Sequence, residues 1–447
     1  MKIETPEEMR VEATRLLRVL RDRGFTAYFA GGCVRDTLLG KHPKDFDIAT
    51  NATPAQVEAI FPGAQTVGAH FGVIVLRSHG AQFEIATFRT DGSYLDGRRP
   101  EKVEFSSPAE DAQRRDFTVN GLFYDPVEDR VIDFVGGEED LKNKVLRAIG
   151  VPQDRFSEDY LRLMRAVRFA ASLGFEIEPR TWQAVKDCAP QLGKISIERI
   201  REEFVRMLLH PSRVQGFDLL VDSGLMEQFL PEILALKGCE QPPQWHPEGD
   251  VFVHTRLMLS LAAPDAPLPL LLSILLHDIG KPGTYAVDET GRIRFSGHDD
   301  LGAKMADEIL RRMKFSNEVV EEVVEMVANH MRYMHVKEMR TAKLKRFMAR
   351  PVFRDELELH RIDCAGSNGF TDNYEFLTAK LEEFSHAPII PPKLVTGRDL
   401  IALGVEPGPL MREILTGVET QQLEGMVTTP EQAIAWVKAW LANPQRE

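Results

Sequence analysis

Cysteine is scarce in this chain. Cys33, Cys188, Cys239 and Cys364 are the only four in 447 residues, and no two form a Cys-x-x-Cys pair. That spacing excludes a disulfide framework or a thiolate zinc ribbon and fits a reducing cytoplasm. Long apolar runs are missing as well. The longest, around residues 268–276, falls short of the roughly 18 residues that cross a bilayer, and the acidic start at residues 1–8 lacks the layout of a signal peptide. A soluble protein without a membrane partner is expected. Neither an internal repeat nor a low-complexity tract is visible. Positive charge is also in short supply, because 55 Lys+Arg against 68 Asp+Glu leave a formal net charge of −13. A nucleic-acid partner would therefore have to be held by local patches. One candidate runs from Lys337 to Arg354, where Lys337, Arg340, Lys343, Lys345, Arg346, Arg350 and Arg354 face a single acid, Glu338; a solvated helix face is the alternative.

A hydrophobic content of 43% is ample for several cores, and the length corresponds to about three compact units at about 150 residues each. The first third alternates helical and strand patterns. A helix from about residue 6 carries Met9, Ala13, Leu16, Leu17 and Leu20 on one face and stops at Gly24. Strands are expected at residues 25–30, 45–49, 73–77 and 82–89, with helices at 33–39 and after Thr53-Pro54. Beyond Gly150 the periodicity is helical, at residues 158–173, 197–209, 257–276, 303–313, 319–331 and 377–384. Proline clusters at Pro242, Pro243 and Pro247 and at Pro388, Pro391 and Pro392 mark boundaries. The expected class is α+β, with a mixed-sheet head over residues 1–150. An elongated all-α part follows, divided into a neck and body (151–240), a helical domain (241–387) and a small helical tail (388–447).

The first sign of chemistry is Gly31-Gly32-Cys33-Val34-Arg35-Asp36. Two residues without a Cβ just before a helix allow a ligand close to the backbone at a helix N-terminus, which favours phosphate. Downstream, Asp45-Phe46-Asp47-Ile48-Ala49 alternates polar and apolar residues. As a strand it would project both carboxylates from one face. Adjacent carboxylates repel unless a cation lies between them, and hard oxygen ligands of this kind suit Mg²⁺ in phosphoryl or nucleotidyl transfer. Glu84, in Phe83-Glu84-Ile85-Ala86, is a candidate third carboxylate.

The stretch GGCVRDTLLGKHPKDFDIAT resembles the signature of the class II tRNA nucleotidyltransferase and bacterial poly(A) polymerase family. That resemblance implies nucleotide addition at an RNA 3′ end, with Asp45 and Asp47 as catalytic metal ligands and with Gly31, Gly32 and Arg35 at the triphosphate. Arg114-Arg115-Asp116-Phe117-Thr118-Val119-Asn120 is similar to the family's second motif, which contacts triphosphate and ribose. Arginine forks grip phosphate, and Asp116 or Asn120 can accept a hydrogen bond from a 2′-hydroxyl. Glu158-Asp159-Tyr160-Leu161-Arg162 resembles the base-selecting EDxxR motif, expected at the start of a helix capped by Ser157, with Asp159 and Arg162 on one face. Arg162 offers only donors and Asp159 only acceptors, so the pair suits cytosine and adenine, each with a ring-nitrogen acceptor beside an exocyclic amine. The segment at residues 91–100, with Gly92, Gly97, Arg98 and Arg99, resembles the flexible loop that helps full CCA-adding members change from C to A. Residues 195–200 resemble a helical motif that supports the neck.

His254, His277-Asp278, His298, His330 and Asp363 occur in the order H, HD, H, H, D, which resembles the HD metal-dependent phosphohydrolase superfamily. The resemblance implies His254, His277, Asp278 and Asp363 as ligands of one metal, with His298 and His330 serving a second ion or a substrate phosphate. Mixed imidazole and carboxylate ligands suit Ni²⁺, Mn²⁺, Co²⁺ or Fe²⁺, and RNA ends or cyclic phosphates are the expected substrates. In the tail, Gly397 before a helix is a candidate RNA-phosphate contact. The function expected from all of this is template-independent addition of C and A to the 3′ end of tRNA from CTP and ATP with Mg²⁺. The alternatives are a poly(A) polymerase or A-adding enzyme, an HD phosphohydrolase with a regulatory head, and a noncatalytic RNA-binding protein. Nothing in the sequence fixes an oligomeric state.

Overall fold

The computed structural model describes residues 2–66, 72–91, 103–386 and 388–442. Gly92, Gly97, Arg98 and Arg99 of the expected flexible loop lie outside the described residues. The chain forms two compact units, Met1–Leu234 and Ala235–Glu447, and no helix among the described residues is long and apolar enough to cross a membrane.

The first unit opens with α1 (Pro6–Asp22), started by a capping box in which Thr5 accepts from the Glu8 amide and Glu8 accepts from the Thr5 amide. Its buried Ala13, Leu16, Leu17 and Leu20 lie at the 3.6-residue period expected of a helix docked on a sheet. The sheet strands are β1 (Ala27–Ala30), β2 (Ile48–Thr50), β3 (Gln65–Thr66), β4 (Val73–Ser78) and β5 (Ala81–Thr87). After the ribbon of β6 (Arg89–Asp91) and β7 (Val103–Phe105) come β8 (Phe123–Asp125) and β9 (Arg130–Ile132). The spatial order is β3-β4-β5-β2-β1-β8-β9. Only β2 and β5 run parallel in this sheet, with Ile48 opposite Ile85. That register sets Asp47, one residue before Ile48, beside Glu84. Between the strands lie α2 (Gly32–Leu38) and α3 (Pro54–Ile60).

Helices α4 (Pro108–Gln113), α5 (Gly137–Asn143), α6 (Pro152–Glu158), α7 (Leu161–Leu173), α8 (Pro179–Cys188), α9 (Ile197–Leu208), α10 (Arg213–Asp222) and α11 (Leu225–Phe229) complete this unit. Helix α7 packs on α9 and α10. It buries Leu163, Met164 and Val167, while Phe204, Met207 and Phe217 are buried on the partner helices. Each such side chain contributes about 1.5–3 kcal/mol on leaving water.

The second unit contains α12 (Val251–Leu261), α13 (Leu268–Leu276), α14 (Lys281–Thr284), α15 (His298–Arg312), α16 (Asn317–Asn329), α17 (Thr341–Met348) and α18 (Phe353–Ala365). They are followed by α19 (Asp372–Glu383), α20 (Gly397–Ala402), α21 (Pro409–Leu423) and α22 (Pro430–Leu441). The last three surround their own core of Val395, Leu400, Ile414, Val418, Ala433 and Val437.

Three expected elements differ. The strand expected at residues 45–49 begins only at Ile48, so Asp45 and Asp47 belong to the segment that enters β2. The helix expected over 158–173 is broken: Asp159 has extended φ/ψ of −152° and 104° after α6, and α7 starts at Leu161. Ser157 caps nothing, its hydroxyl donating to the Asp154 carbonyl. The helix expected over 257–276 divides into α12 and α13, because Pro264 and Pro267 interrupt it. Short strand pairs at Val145–Leu146 with Glu176–Ile177, and at Ala286–Val287 with Ile293–Arg294, were not expected.

Candidate functional site

The Asp45–Asp47 segment keeps the alternation that the strand reading required. Phe46 is buried against Phe29, with ring centroids 5.3 Å apart, and Ile48 is fully buried, while Asp45 is exposed and Asp47 half-buried. Asp45 and Glu84 lie near enough to Asp47 to oppose its charge. Burial, followed by repulsion from Asp45 and Glu84, pushes the Asp47 carboxyl up to about 7, against the pull of Arg115. Two acids beside a third, half-buried carboxyl set up a repulsion that a divalent cation would remove. The ligand set is all oxygen, which fits Mg²⁺.

Beside it, Gly31 has φ +71°, and a Cβ there would lie 2.8 Å from Arg115 Nη1. Glycine at this position therefore both permits the turn and lets the Arg115 guanidinium lie against the backbone. Arg115 also donates to the Asn120 carbonyl at 3.2 Å and to Asp111 Oδ2 at 3.0 Å, while Arg114 holds Asp111 Oδ1. Burial opposes ionisation of Asp111, but the two arginines keep its carboxyl below the ordinary value. Asp116 and Asn120 are buried and interlocked. Asp116 Oδ1 accepts from Asn120 Nδ2 (3.0 Å) and Oδ2 from Arg165 Nε (2.8 Å), while Asn120 Oδ1 accepts from Arg35 Nη1 (2.7 Å). Burial alone would raise the Asp116 carboxyl, yet Arg165 and Asn120 bring it down to about 2.

The break between α6 and α7 changes how the EDxxR residues are held. Asp159 lies outside either helix, where Arg199 of α9 grips both its oxygens at 3.2 and 2.6 Å. Arg162 pairs with Glu158 and donates to the Arg155 and Arg114 carbonyls at 2.7 and 3.2 Å. Each member of the pair is thus held by its own partners.

Residues 27–147 match the poly A polymerase head domain, residues 174–236 the family described as a probable RNA and SrmB-binding site of polymerase A, and residues 298–437 the tRNA nucleotidyltransferase domain 2. A CCA-adding enzyme of Streptococcus suis is 33% identical over 451 residues, covering 97% of each chain. The chain belongs to the CCA-adding enzyme family. The Lactobacillus helveticus CCA-adding enzyme is 41% identical over 269 residues, 59% of this chain and 67% of its own length, and other relatives at 44% and 45% identity are matched over 57% and 58% of theirs. The crystal structure of the Bacillus stearothermophilus CCA-adding enzyme in complex with CTP has a TM-score of 0.75 at 29% identity, covering 98% of both chains. This member of the family is a nucleotidyltransferase.

The second unit carries a separate cluster. His277, His298 and His330 each place Nδ1 by the backbone carbonyl three residues earlier: Ile274 at 3.0 Å, Phe295 at 2.8 Å and Val327 at 2.6 Å. A proton donated to those carbonyls leaves the three Nε2 atoms as inward lone pairs. His298 Nε2 and His330 Nε2 face each other at 3.1 Å, and Asp278 Oδ1 lies 3.5 and 3.8 Å from them. His277 Nε2 is 3.1 Å from Asp278 Oδ2, and His254 Nε2 is 3.1 Å from Asp363 Oδ1. Several of these contacts lack hydrogen-bond alignment: His254 Nδ1 and Nε2, His277 Nε2 and Asp278 Oδ2 are buried without a hydrogen-bond partner. Converging, unsatisfied nitrogen and carboxylate donors fit a divalent transition metal. Burial opposes charge on His254, but Asp363 and Glu248 raise its imidazole to about 9; burial and neighbouring His277 lower His330 to about 4. A cavity of about 870 Å³ opens beside Asp278, Lys281, His298, His330 and Asp363.

Sequence reasoning missed several of the groups at these sites. Asp111 and Arg165 sit on helices and read there as ordinary helix charges, and Arg199 lies in the segment 195–200, which reads as support for the neck without its contact to Asp159. In the second unit, Lys281 Nζ lies 2.7 Å from Asp278 Oδ2 and from Gln241 Oε1, and Glu248 meets both His246 and His254. The basic run divides as well. Lys345 donates to the Leu423 carbonyl and Arg346 to Glu419, while Lys343, Arg346 and Arg350 line an open cavity with Met339 and Phe347, joined there by Arg332 from outside the run. At Gly397 the helix start is filled by Asp399, whose carboxylate accepts from the Thr396 amide and hydroxyl at 2.7 Å.

Proposed function

We propose that this protein adds C and A to the 3′ end of tRNA from CTP and ATP without a nucleic-acid template. The observation that carries the reading is the gathering of Asp45, Asp47 and Glu84 beside the Gly31 turn and Arg115, on a chain of the CCA-adding family. Asp45 and Asp47 would hold Mg²⁺, with Glu84 close by. When bound there, Mg²⁺ lowers the charge barrier between the RNA hydroxyl and the α-phosphate. Gly31, Gly32, Arg35, Arg114 and Arg115 form the triphosphate side. Arg35 and Arg165 fix Asn120 and Asp116 at the sugar side, and Asp159 with Arg162 presents the donors and acceptors that cytosine and adenine both match. A wrong base would leave buried groups unpaired at about 1–3 kcal/mol each. The division into head (1–150), neck and body (151–240), helical domain (241–387) and tail (388–447), and a cytoplasmic location, belong to the same proposal.

The test is one gel. tRNA lacking its terminal CCA is incubated with CTP, with ATP and with both. The proposal expects C addition from CTP and a completed end only with both nucleotides, and none in Asp45→Ala or Asp47→Ala. Indifference to CTP with a growing A tail would replace it by poly(A) synthesis, and turnover in either variant would refute the metal assignment.

A second reading is favoured by the unsatisfied donors in the second unit. His254, His277, Asp278 and Asp363, with His298 and His330, would hold Ni²⁺, Mn²⁺, Co²⁺ or Fe²⁺ for hydrolysis of RNA ends or cyclic phosphates. His277→Ala and Asp278→Ala should then lose phosphodiesterase activity, and unchanged hydrolysis in both would refute it.

A further inference from the structure

Four imidazoles converge on the cluster of the second unit, and three are oriented in the same way, by the backbone carbonyl three residues back. His254 is the exception. The carbonyl three residues before it, that of Val251, accepts the Thr255 hydroxyl at 2.8 Å, and the atom beside His254 Nδ1 is instead Glu248 Oε1, at 2.7 Å. The His254 side chain is fully buried and that of Glu248 is 9% exposed. The opposite nitrogen, Nε2, faces Asp363 and groups with His277 and Asp278. Glu248 also meets His246 Nδ1, at 2.9 Å, and His246 lies on the wall of the large cavity.

We propose that Glu248 is a positioning residue for the metal cluster: its carboxylate, 2.7 Å from His254 Nδ1, favours the ring proton on that nitrogen and so fixes the tautomer that turns the Nε2 lone pair inward. This rests on reading the cluster as a metal site. A carboxylate behind a ligating imidazole raises its basicity and locks its ring, and removal of such a partner costs about 10- to 100-fold in metal affinity. The alternative geometry, an ion held by His246, Glu248 and Nδ1 of His254, would make His254 bridge two cations as an imidazolate.

The experiment is a titration of the metal-stripped full-length protein with Mn²⁺ and with Co²⁺, followed by calorimetry and by the visible absorption of the Co²⁺ form. Wild type should bind, and Asp278→Ala should not; absence of binding in wild type would remove the metal reading itself. With wild-type binding in place, Glu248→Ala should bind about 10- to 100-fold more weakly, Glu248→Gln should fall between, and both should show an altered Co²⁺ spectrum. His246→Ala should keep the wild-type ion count. Wild-type affinity and spectrum in Glu248→Ala would overturn the proposal, as would loss of an ion in His246→Ala but not in Asp278→Ala. Thermal unfolding of each stripped variant, equal to that of stripped wild type, separates weakened binding from failed folding.

Discussion

Asp47→Asn should abolish nucleotide addition and at the same time make the metal-free protein more stable. In the folded state its carboxyl titrates at about 7 instead of 3.8 because burial, Asp45 and Glu84 oppose its charge while Arg115 only partly offsets them. Below the unfolded value both states hold the proton and the site costs nothing. As pH rises past 3.8 the unfolded chain ionises first, so stability falls until the folded group also ionises near 7, and the full cost persists above that. A carboxyl raised from 3.8 to about 7 costs about 4 kcal/mol, and solvent screening at this half-buried position reduces the figure to about 2 kcal/mol. Asparagine removes the charge at nearly constant shape. Urea unfolding without Mg²⁺ at pH 8 should therefore show Asp47→Asn above wild type by about 2 kcal/mol, with the gap narrowing at pH 5; saturating Mg²⁺ should raise wild type and leave the variant unmoved. A variant equal to or less stable than wild type at pH 8, or a gap independent of pH, would refute the reasoning.

Three further outcomes follow from the same geometry. Gly31→Ala must adopt a positive φ with its Cβ 2.8 Å from Arg115 Nη1, so the KM for CTP and ATP should rise roughly tenfold, the effect of about 1–2 kcal/mol of strain; steady-state kinetics reads it. Arg199→Ala removes both contacts to the Asp159 carboxylate, and a loss of about 1.5–3 kcal/mol in charge-assisted bonding should lower kcat/KM for correct nucleotides by roughly 10- to 100-fold, measured beside misincorporation of UTP. Gly280→Ala would set a Cβ 2.3 Å from the His298 carbonyl and 2.7 Å from the Gly302 amide; backbone cannot yield as a side chain can, so thermal unfolding should show a loss of about 1–3 kcal/mol, with reduced metal content by elemental analysis.

Much of this was legible from residue order because the chemistry is local in sequence. Asp45 and Asp47 flank a buried Phe46, and two-residue alternation survives even though hydrogen-bonded pairing starts only at Ile48. The histidines stand out by their order with the two aspartates, H, HD, H, H, D. The break after Glu158 was not legible: Ser157-Glu158-Asp159 carries good helix-starting signals, and the competing attraction of Arg199, forty residues away, is tertiary. Arg165 and its partner Asp116 are likewise joined only by packing. Glu248 lies in a Pro- and Gly-rich stretch that reads as a plain connection. By contrast, the division of residues 257–276 was written in Pro264 and Pro267, and apolar periodicity on either side masked it.

The Nε2 atoms of His298 and His330, 3.1 Å apart, have a consequence for how the protein fares in a cell. Were a transition metal to fill this cluster, as proposed, the integrity of its helices would be tied to that ion, because binding to the native form alone adds free energy to folding. Starvation for transition metal would then leave the second unit more open to proteases, and the amount of enzyme available for tRNA repair would follow trace-metal supply even in a cell that never calls on the second site for catalysis.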